Sequence, residues 1–156
     1  MFVVAGRQLE TSTRRPDSHG RSPRAVRVFG ALLALEVTWV HVLGQGGVSA
    51  LREPGYTGWG YRALEVLGVA TAAWLMTGWR GKLSWLLAAA VATGPLLGYL
   101  ISRGTAVPDY SDTAGDWFEP LGITAMTAEV ALLVVAGLAL RRLRHPWDAD
   151  DTRAGR

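Results

Sequence analysis

The chain has 156 residues, is 49% apolar and 19% charged, and carries a formal net charge of +3, with fifteen arginines against the single Lys82. That length accommodates one compact domain or a few membrane spans with tails. No cysteine is present, which excludes disulfides, Cys-ligated zinc or iron–sulfur centres and thiol nucleophiles.

The long apolar runs all lie between Val28 and Leu140, whereas Arg7 to Arg27 and Arg141 to Arg156 hold most of the charge. The chain therefore divides into a cytoplasmic tail over 1–27, a membrane domain over 28–140 and a second cytoplasmic tail over 141–156. The first tail contains Pro16, Pro23 and six arginines, which reads as disordered basic chain rather than as a signal peptide. Its Arg14–Arg15 pair is followed by Pro16 and Asp17, unlike a twin-arginine signal.

A bilayer core of roughly 30 Å takes about 20 mostly apolar residues per helix. Val28–Val48, Tyr61–Trp79, Leu83–Ile101 and Pro120–Leu140 each meet that length. A soluble four-helix bundle requires a polar stripe on every helix. Leu83–Ile101 has no charged residue and Ala131–Leu140 is apolar on all faces, so the expected fold is an all-α, up-and-down bundle of four transmembrane helices. With the N-terminus inside, thirteen Lys and Arg flank the spans on the inner side, and only Arg52, Arg62 and Arg103 lie outside. The inside-positive bias then places both termini in the cytoplasm and the protein in the plasma membrane. Trp79 and Trp85 are expected at the inner boundary, and Tyr56, Trp59, Tyr61, Tyr110 and Trp117 at the outer one.

In the first span, Glu36 lies about 12 Å from the inner end and His41 about 20 Å, taking a rise of about 1.5 Å per residue. In the second and fourth spans, Glu65 lies about 6–8 Å and Glu129 about 15 Å below the outer surface. These depths predict an outer layer of His41 with Glu65 and a central layer of Glu36 with Glu129. Such groups are costly in lipid and need partners. Each pair can serve merely as a packed polar contact, or the central carboxyls can carry a proton or cation. A stripe of Glu119, Gly122, Met126 and Glu129 on the fourth helix extends this polar interior to the outer mouth. A metal at His41 and Glu65, with Glu119 as a further donor, has suitable atoms but no spacing motif. His41 is the only histidine within a span, so paired histidine ligation of haem would require a homodimer.

The third span repeats small residues at Ala90, Gly94, Gly98 and Ser102, a face suited to a neighbouring helix of the bundle or to a second subunit. Pro95 beside it removes a backbone donor and is expected to kink the helix. Gly44-Gln45-Gly46-Gly47 reads as the end of the first helix rather than as a phosphate loop. In the loop before the fourth span, Asp116 is a candidate N-cap, Pro120 a first-turn residue, and Arg103 a partner for Glu119 or Asp116. The loop lacks the alternating ligands of a calcium site.

Ser102-Arg103, Pro108, Trp117-Phe118-Glu119-Pro120-Leu121-Gly122 and Glu129, with His41 in the first helix, resemble small four-helix membrane proteins of actinobacterial type. The resemblance covers about Gly30–Leu140 and is specific over Ser102–Glu129. Ala106-Val107-Pro108 stands where that group has Gly-Leu-Pro. It implies fold and membrane location and supplies no activity.

The expected function is that of an accessory or partner-associated membrane protein with a polar intramembrane site. The alternatives are a small proton- or cation-coupled transporter and a metal- or haem-linked redox component. No catalytic triad, phosphate loop or zinc motif suggests an enzyme, and no folded module suggests nucleic-acid binding. The expected partners are the lipid bilayer and a homodimer or larger membrane complex. Because the chain lacks cysteine, the orientation is directly testable with single cysteines. In intact cells a membrane-impermeant maleimide should label Ser111→Cys and spare Ser18→Cys; the reverse pattern would contradict the inside-positive assignment.

Overall fold

A computed structural model describes residues 22–47, 56–105 and 114–144. The first 21 residues of the basic tail, the C-terminal tail beyond Arg144 and the loop residues Pro108, Asp109, Tyr110 and Asp112 lie outside them. The described chain forms four helices: α1 (Arg24–Gly44), α2 (Tyr56–Thr77), α3 (Gly81–Gly104) and α4 (Pro120–Arg144). α1, α3 and α4 are long and apolar enough to cross a membrane. α2, with 22 residues, carries Arg62 and Glu65 in its first half and is not among them.

Local sequence explains the helix ends. The Gly46 amide donates to the Leu43 carbonyl (2.9 Å) and the Gly47 amide to the Val42 carbonyl (2.9 Å). Gly46 has φ 88°. This paired bonding with a left-handed glycine terminates α1, as the Gly-rich step predicted. Gly78 (φ 68°) ends α2, and only three residues, 78–80, separate α2 from α3. Pro120 opens α4, where a missing amide costs nothing, and the Ile123 amide bonds the Glu119 carbonyl at 3.0 Å. Glu119, rather than the expected Asp116, thus occupies the capping position, because the turns at 114–115 and 117–118 separate Asp116 from the helix. α1 begins four residues before the expected Val28, taking Arg24 and Arg27 into its first turn.

Gly30 of α1 lies against Trp85 of α3 and Leu75 of α2, whereas Gly44 lies against Leu121 and Gly122 against Tyr99. The early part of α1 therefore meets the early part of α3 and the late part of α2, which makes the bundle up-and-down. One end carries Arg24, Arg27, Arg80, Lys82, Arg141, Arg142 and Arg144, and is called here the basic end. Contacts are densest between α1 and α2 and between α3 and α4, and sparser between α2 and α3.

The core is built from small side chains. Ala31, Ala34, Ala72, Ala88, Ala92, Ala128, Ala136 and Ala139 are all buried, together with Leu33, Val37, Leu75, Val91 and Leu132. Large apolar residues such as Leu32, Val66, Val134 and Leu138 point outward. Small residues let helix backbones approach closely, which matters where the solvent is itself apolar. The hydroxyls of Thr38, Thr71, Thr93 and Thr127 each donate to the carbonyl four residues earlier, so they need no partner elsewhere.

Two expectations about α3 are narrowed. Ala90, Gly94 and Gly98 are exposed, and no atom would meet a Cβ at either glycine within 4 Å, so this stripe makes no contact within the bundle. The inward small pair is Ala88 and Ala92, about 200° around the helix from Ala90 on either side. Trp85, expected among the boundary aromatics, is fully buried, and its Nε1 donates to Ser22 Oγ at 2.9 Å. Trp79 does lie exposed at the basic end, packed edge-on against Trp74 (5.6 Å) and under Arg80 (4.5 Å). α3 continues as helix through Pro95.

Trp85 of α3 is fully buried, packs on Gly30 of α1 and bonds the chain before α1, so its truncation should be severe. Thermal unfolding in detergent should show Trp85→Ala losing about 3–5 kcal/mol, the range for a buried aromatic. Phe118→Ala, at an 83% exposed position, should leave the midpoint unchanged.

Candidate functional site

The polar residues gather at the end opposite the basic one. His41, near the close of α1, donates from Nδ1 to the Val37 carbonyl at 2.8 Å. A carbonyl only accepts, so Nδ1 carries the hydrogen and Nε2 is the ring atom left to face the bundle. Nε2 stands 3.6 Å from Glu129 Oε1 of α4. That separation is too long for a hydrogen bond and short enough for strong electrostatic interaction. The Glu129 side chain is 1% exposed, and its Oε2 has no hydrogen-bond partner among the described residues. The Tyr61 ring of α2 completes one wall, 6.0 Å from the imidazole centroid.

Gln45 ties this centre to α2. Its Nε2 donates to the His41 carbonyl at 3.1 Å and to Glu65 Oε1 at 2.9 Å. The glycine turn closing α1 brings the amide side chain back over the helix end. A polar chain therefore runs from Glu65 through Gln45 and His41 to Glu129, joining α2, α1 and α4.

These pairings differ from the expected layers. His41 faces Glu129 rather than Glu65, and Glu36 is exposed and does not meet Glu129. The cause lies in side-chain direction. In a helix the Cα–Cβ bonds tilt toward the N-terminus, so residues on antiparallel helices lean toward each other along the axis. His41 sits about 5 Å from the end of α1 and leans deeper, whereas Glu129 sits about 14 Å into α4 and leans outward. Glu36 is about 140° around α1 from His41, so turning His41 toward α4 turns Glu36 away. Of the α4 stripe, Gly122 and Glu129 are buried and Met126 half-buried.

A second cluster closes the mouth. Arg103 is 8% exposed, pairs through Nη2 with Glu119 Oε2, and lies 5.1 Å from the Tyr99 ring. Tyr99 Oη donates to the Trp117 carbonyl at 3.0 Å, and the Gly115 amide donates to the Arg103 carbonyl at 2.9 Å. Arg103 thereby anchors the segment entering α4, with Glu119 as its partner; Asp116 is exposed. The expected metal donors His41, Glu65 and Glu119 are engaged with different partners, and no group of three metal-ligating side chains stands together among the described residues.

Of the residues singled out in the sequence, His41, Glu65, Glu129, Arg103 and Glu119 make these contacts and Glu36 and Asp116 do not; Gln45 and the place of Tyr61 beside His41 were not anticipated. Gln45 gave no periodic signal because it belongs to a helix end, and Tyr61 read as a boundary aromatic. Below Glu129 toward the basic end the core is largely apolar, with Leu33, Val37, Leu75, Trp85, Val91 and Leu132 packed together and the hydroxyls of Thr38, Thr71 and Ser84 bonded to backbone carbonyls. The arrangement is a cluster of polar side chains toward one end of the bundle, with a largely apolar core between it and the basic end.

No family model, curated protein or solved structure matches the chain. The mouth pair offers a direct check of the geometry. A double-mutant cycle of Arg103→Ala and Glu119→Ala, read by unfolding in detergent, should give a coupling of about 0.5–3 kcal/mol. A coupling of zero would place the two side chains apart.

Proposed function

We propose that this chain is a four-span integral plasma-membrane protein, with both termini cytoplasmic, acting as an accessory or binding protein through an outward-facing polar site. The observation that carries this reading is the Glu129 carboxyl, buried between helices with one oxygen facing His41 and the other unpartnered among the described residues. A buried polar atom left without a partner is costly, and such atoms concentrate where something is bound.

The simplest occupant is a proton. With Nδ1 committed to Val37, the pair formed by His41 Nε2 and the Glu129 carboxyl holds one exchangeable proton. The pair is electrically neutral whether that proton sits on nitrogen or on oxygen. Such a unit titrates as a pair. It costs little within a membrane while its proton is present, and becomes a buried negative charge when the proton leaves. Gln45, Glu65 and Tyr61 stand around His41 toward the end of the bundle opposite the basic one. Between Glu129 and the basic end the buried side chains are apolar apart from Thr38, Thr71 and Ser84, whose hydroxyls are taken up by backbone carbonyls, which favours binding and sensing over conduction.

The same pair favours one further reading, a small proton-coupled transporter, which requires that apolar core to open. The exposed stripe of Ala90, Gly94 and Gly98 on α3 supports association with a membrane partner. Large apolar side chains outside and alanines inside support the membrane setting itself.

Infrared titration of the reconstituted protein tests the site. A carboxylic-acid carbonyl band that disappears with rising pH should be absent in Glu129→Gln, and its midpoint should move in His41→Asn. An unchanged band in Glu129→Gln would refute the assignment. In liposomes under a potassium diffusion potential, sustained proton flux lost in Glu129→Gln would replace the binding reading with transport.

A further inference from the structure

Among the described residues, Glu36 is the one ionisable side chain that faces outward from the middle of an apolar helix. It lies twelve residues from Arg24 and eight from Gly44, about 18 Å and 12 Å along α1, so neither end of the helix brings its short side chain to a headgroup. It has no hydrogen bond or ion pair among the described residues. An unpartnered carboxyl against lipid is costly and tends to mark a functional contact.

The residues around it form a pattern. Phe29, Leu32, Trp39 and Leu43 are 52%, 59%, 58% and 46% exposed, and Glu36 sits between them. The spacing along 29, 32, 36, 39 and 43 alternates three and four residues. That is the heptad seam along which two helices supercoil with a left-handed twist, and Glu36 holds its central position. A single polar residue at such a position sets register and partner number in helix pairs.

The geometry points to a homodimer in which α1 packs along this seam against α1 of a second copy. The choice of a second copy follows from complementarity at equal depth. Two copies inserted in the same direction are related by a two-fold axis along the bilayer normal, so each residue near the axis meets its own equivalent. A carboxylic acid both donates and accepts, and is therefore complementary to itself when the pair holds at least one proton. Glu36 against the second copy's Glu36 satisfies both groups, whereas lipid satisfies neither. The exposed Ala90, Gly94 and Gly98 face of α3 carries no polar group that would demand cover. This inference rests on the membrane-spanning reading but not on the proton site at Glu129.

The test uses full-length chain in native membranes, with single cysteines in the otherwise cysteine-free sequence. Under mild oxidation Leu32→Cys and Leu43→Cys should form disulfide-linked dimers, and Val66→Cys on α2 and Gly98→Cys on α3 should not. Energy transfer between labelled copies in liposomes should show association weakened about tenfold in Glu36→Leu, the scale of an interhelical hydrogen bond. Glu36→Gln keeps a self-complementary side chain and should retain the dimer. Cross-linking through Gly98→Cys alone, no cross-link at any position, or equal association of Glu36→Leu and the unaltered chain would overturn the proposal. Extraction of the same membranes with alkaline carbonate separates the two claims. Resistant protein that fails to cross-link refutes only the dimer, and protein released by carbonate refutes the membrane reading beneath it.

Discussion

Close approach of helix backbones through alanine is the constraint from which the other features follow. In lipid, apolar side chains gain nothing by hiding from their surroundings, so cohesion comes from van der Waals contact and internal hydrogen bonds. The alanines of α1, α2, α3 and α4 supply much of the contact, and many of the larger Leu, Val and Trp side chains are left outside. Little room remains inside, and each larger interior group has a definite seat. Trp85 occupies the space opened by Gly30, and Tyr99 the space opened by Gly122. His41 and Glu129 meet where two ionisable side chains enter the interior.

Tight packing also gives the His41–Glu129 contact its character. A carboxyl that could swing to water would be an ordinary acid, but at 1% exposure Glu129 can change its charge only in concert with what stands beside it. The Val37 carbonyl holds the imidazole by Nδ1 and presents Nε2 to the carboxyl. Gln45 fixes the end of α1 and joins it to Glu65, so the ring's position is coupled to α2 as well as to α4. Arg103 and Glu119 hold the start of α4 from the other side. The site is thus positioned by three helices and two helix ends, a geometry suited to transmitting a change of protonation to the packing around it.

The helices were legible in the sequence because each apolar run is long and interrupted by glycine, proline or charge. Their boundaries were less so. Arg24 and Arg27 read as tail, yet long basic side chains can lie in a first turn while their charges reach the end of the bundle. The inward face of α3 was ambiguous for a physical reason: Ala88, Ala89, Ala90 and Ala92 offer small residues on every side, and only packing against α2 and α4 selects Ala88 and Ala92. The ionisable residues within the spans were visible in the sequence, but the pairs they form were not. Depth counted by Cα position ignores the N-terminal lean of helical side chains, which draws His41 and Glu129 together, and the roughly 140° between His41 and Glu36 then leaves Glu36 outside. Gln45 was hidden because its contact with Glu65 depends on the turn that ends α1 rather than on any period within it.

The central claim is that His41 presents Nε2 to the Glu129 carboxyl and shares one proton with it. Solid-state nitrogen NMR of the imidazole in lipid bilayers reads both ring nitrogens separately and tests that claim most directly. The account predicts that Nδ1 stays protonated throughout a pH titration, and that the state of Nε2 changes when Glu129 is replaced by Gln. A bare Nδ1 with a protonated Nε2 in the neutral ring, or an Nε2 signal indifferent to Glu129, would contradict it.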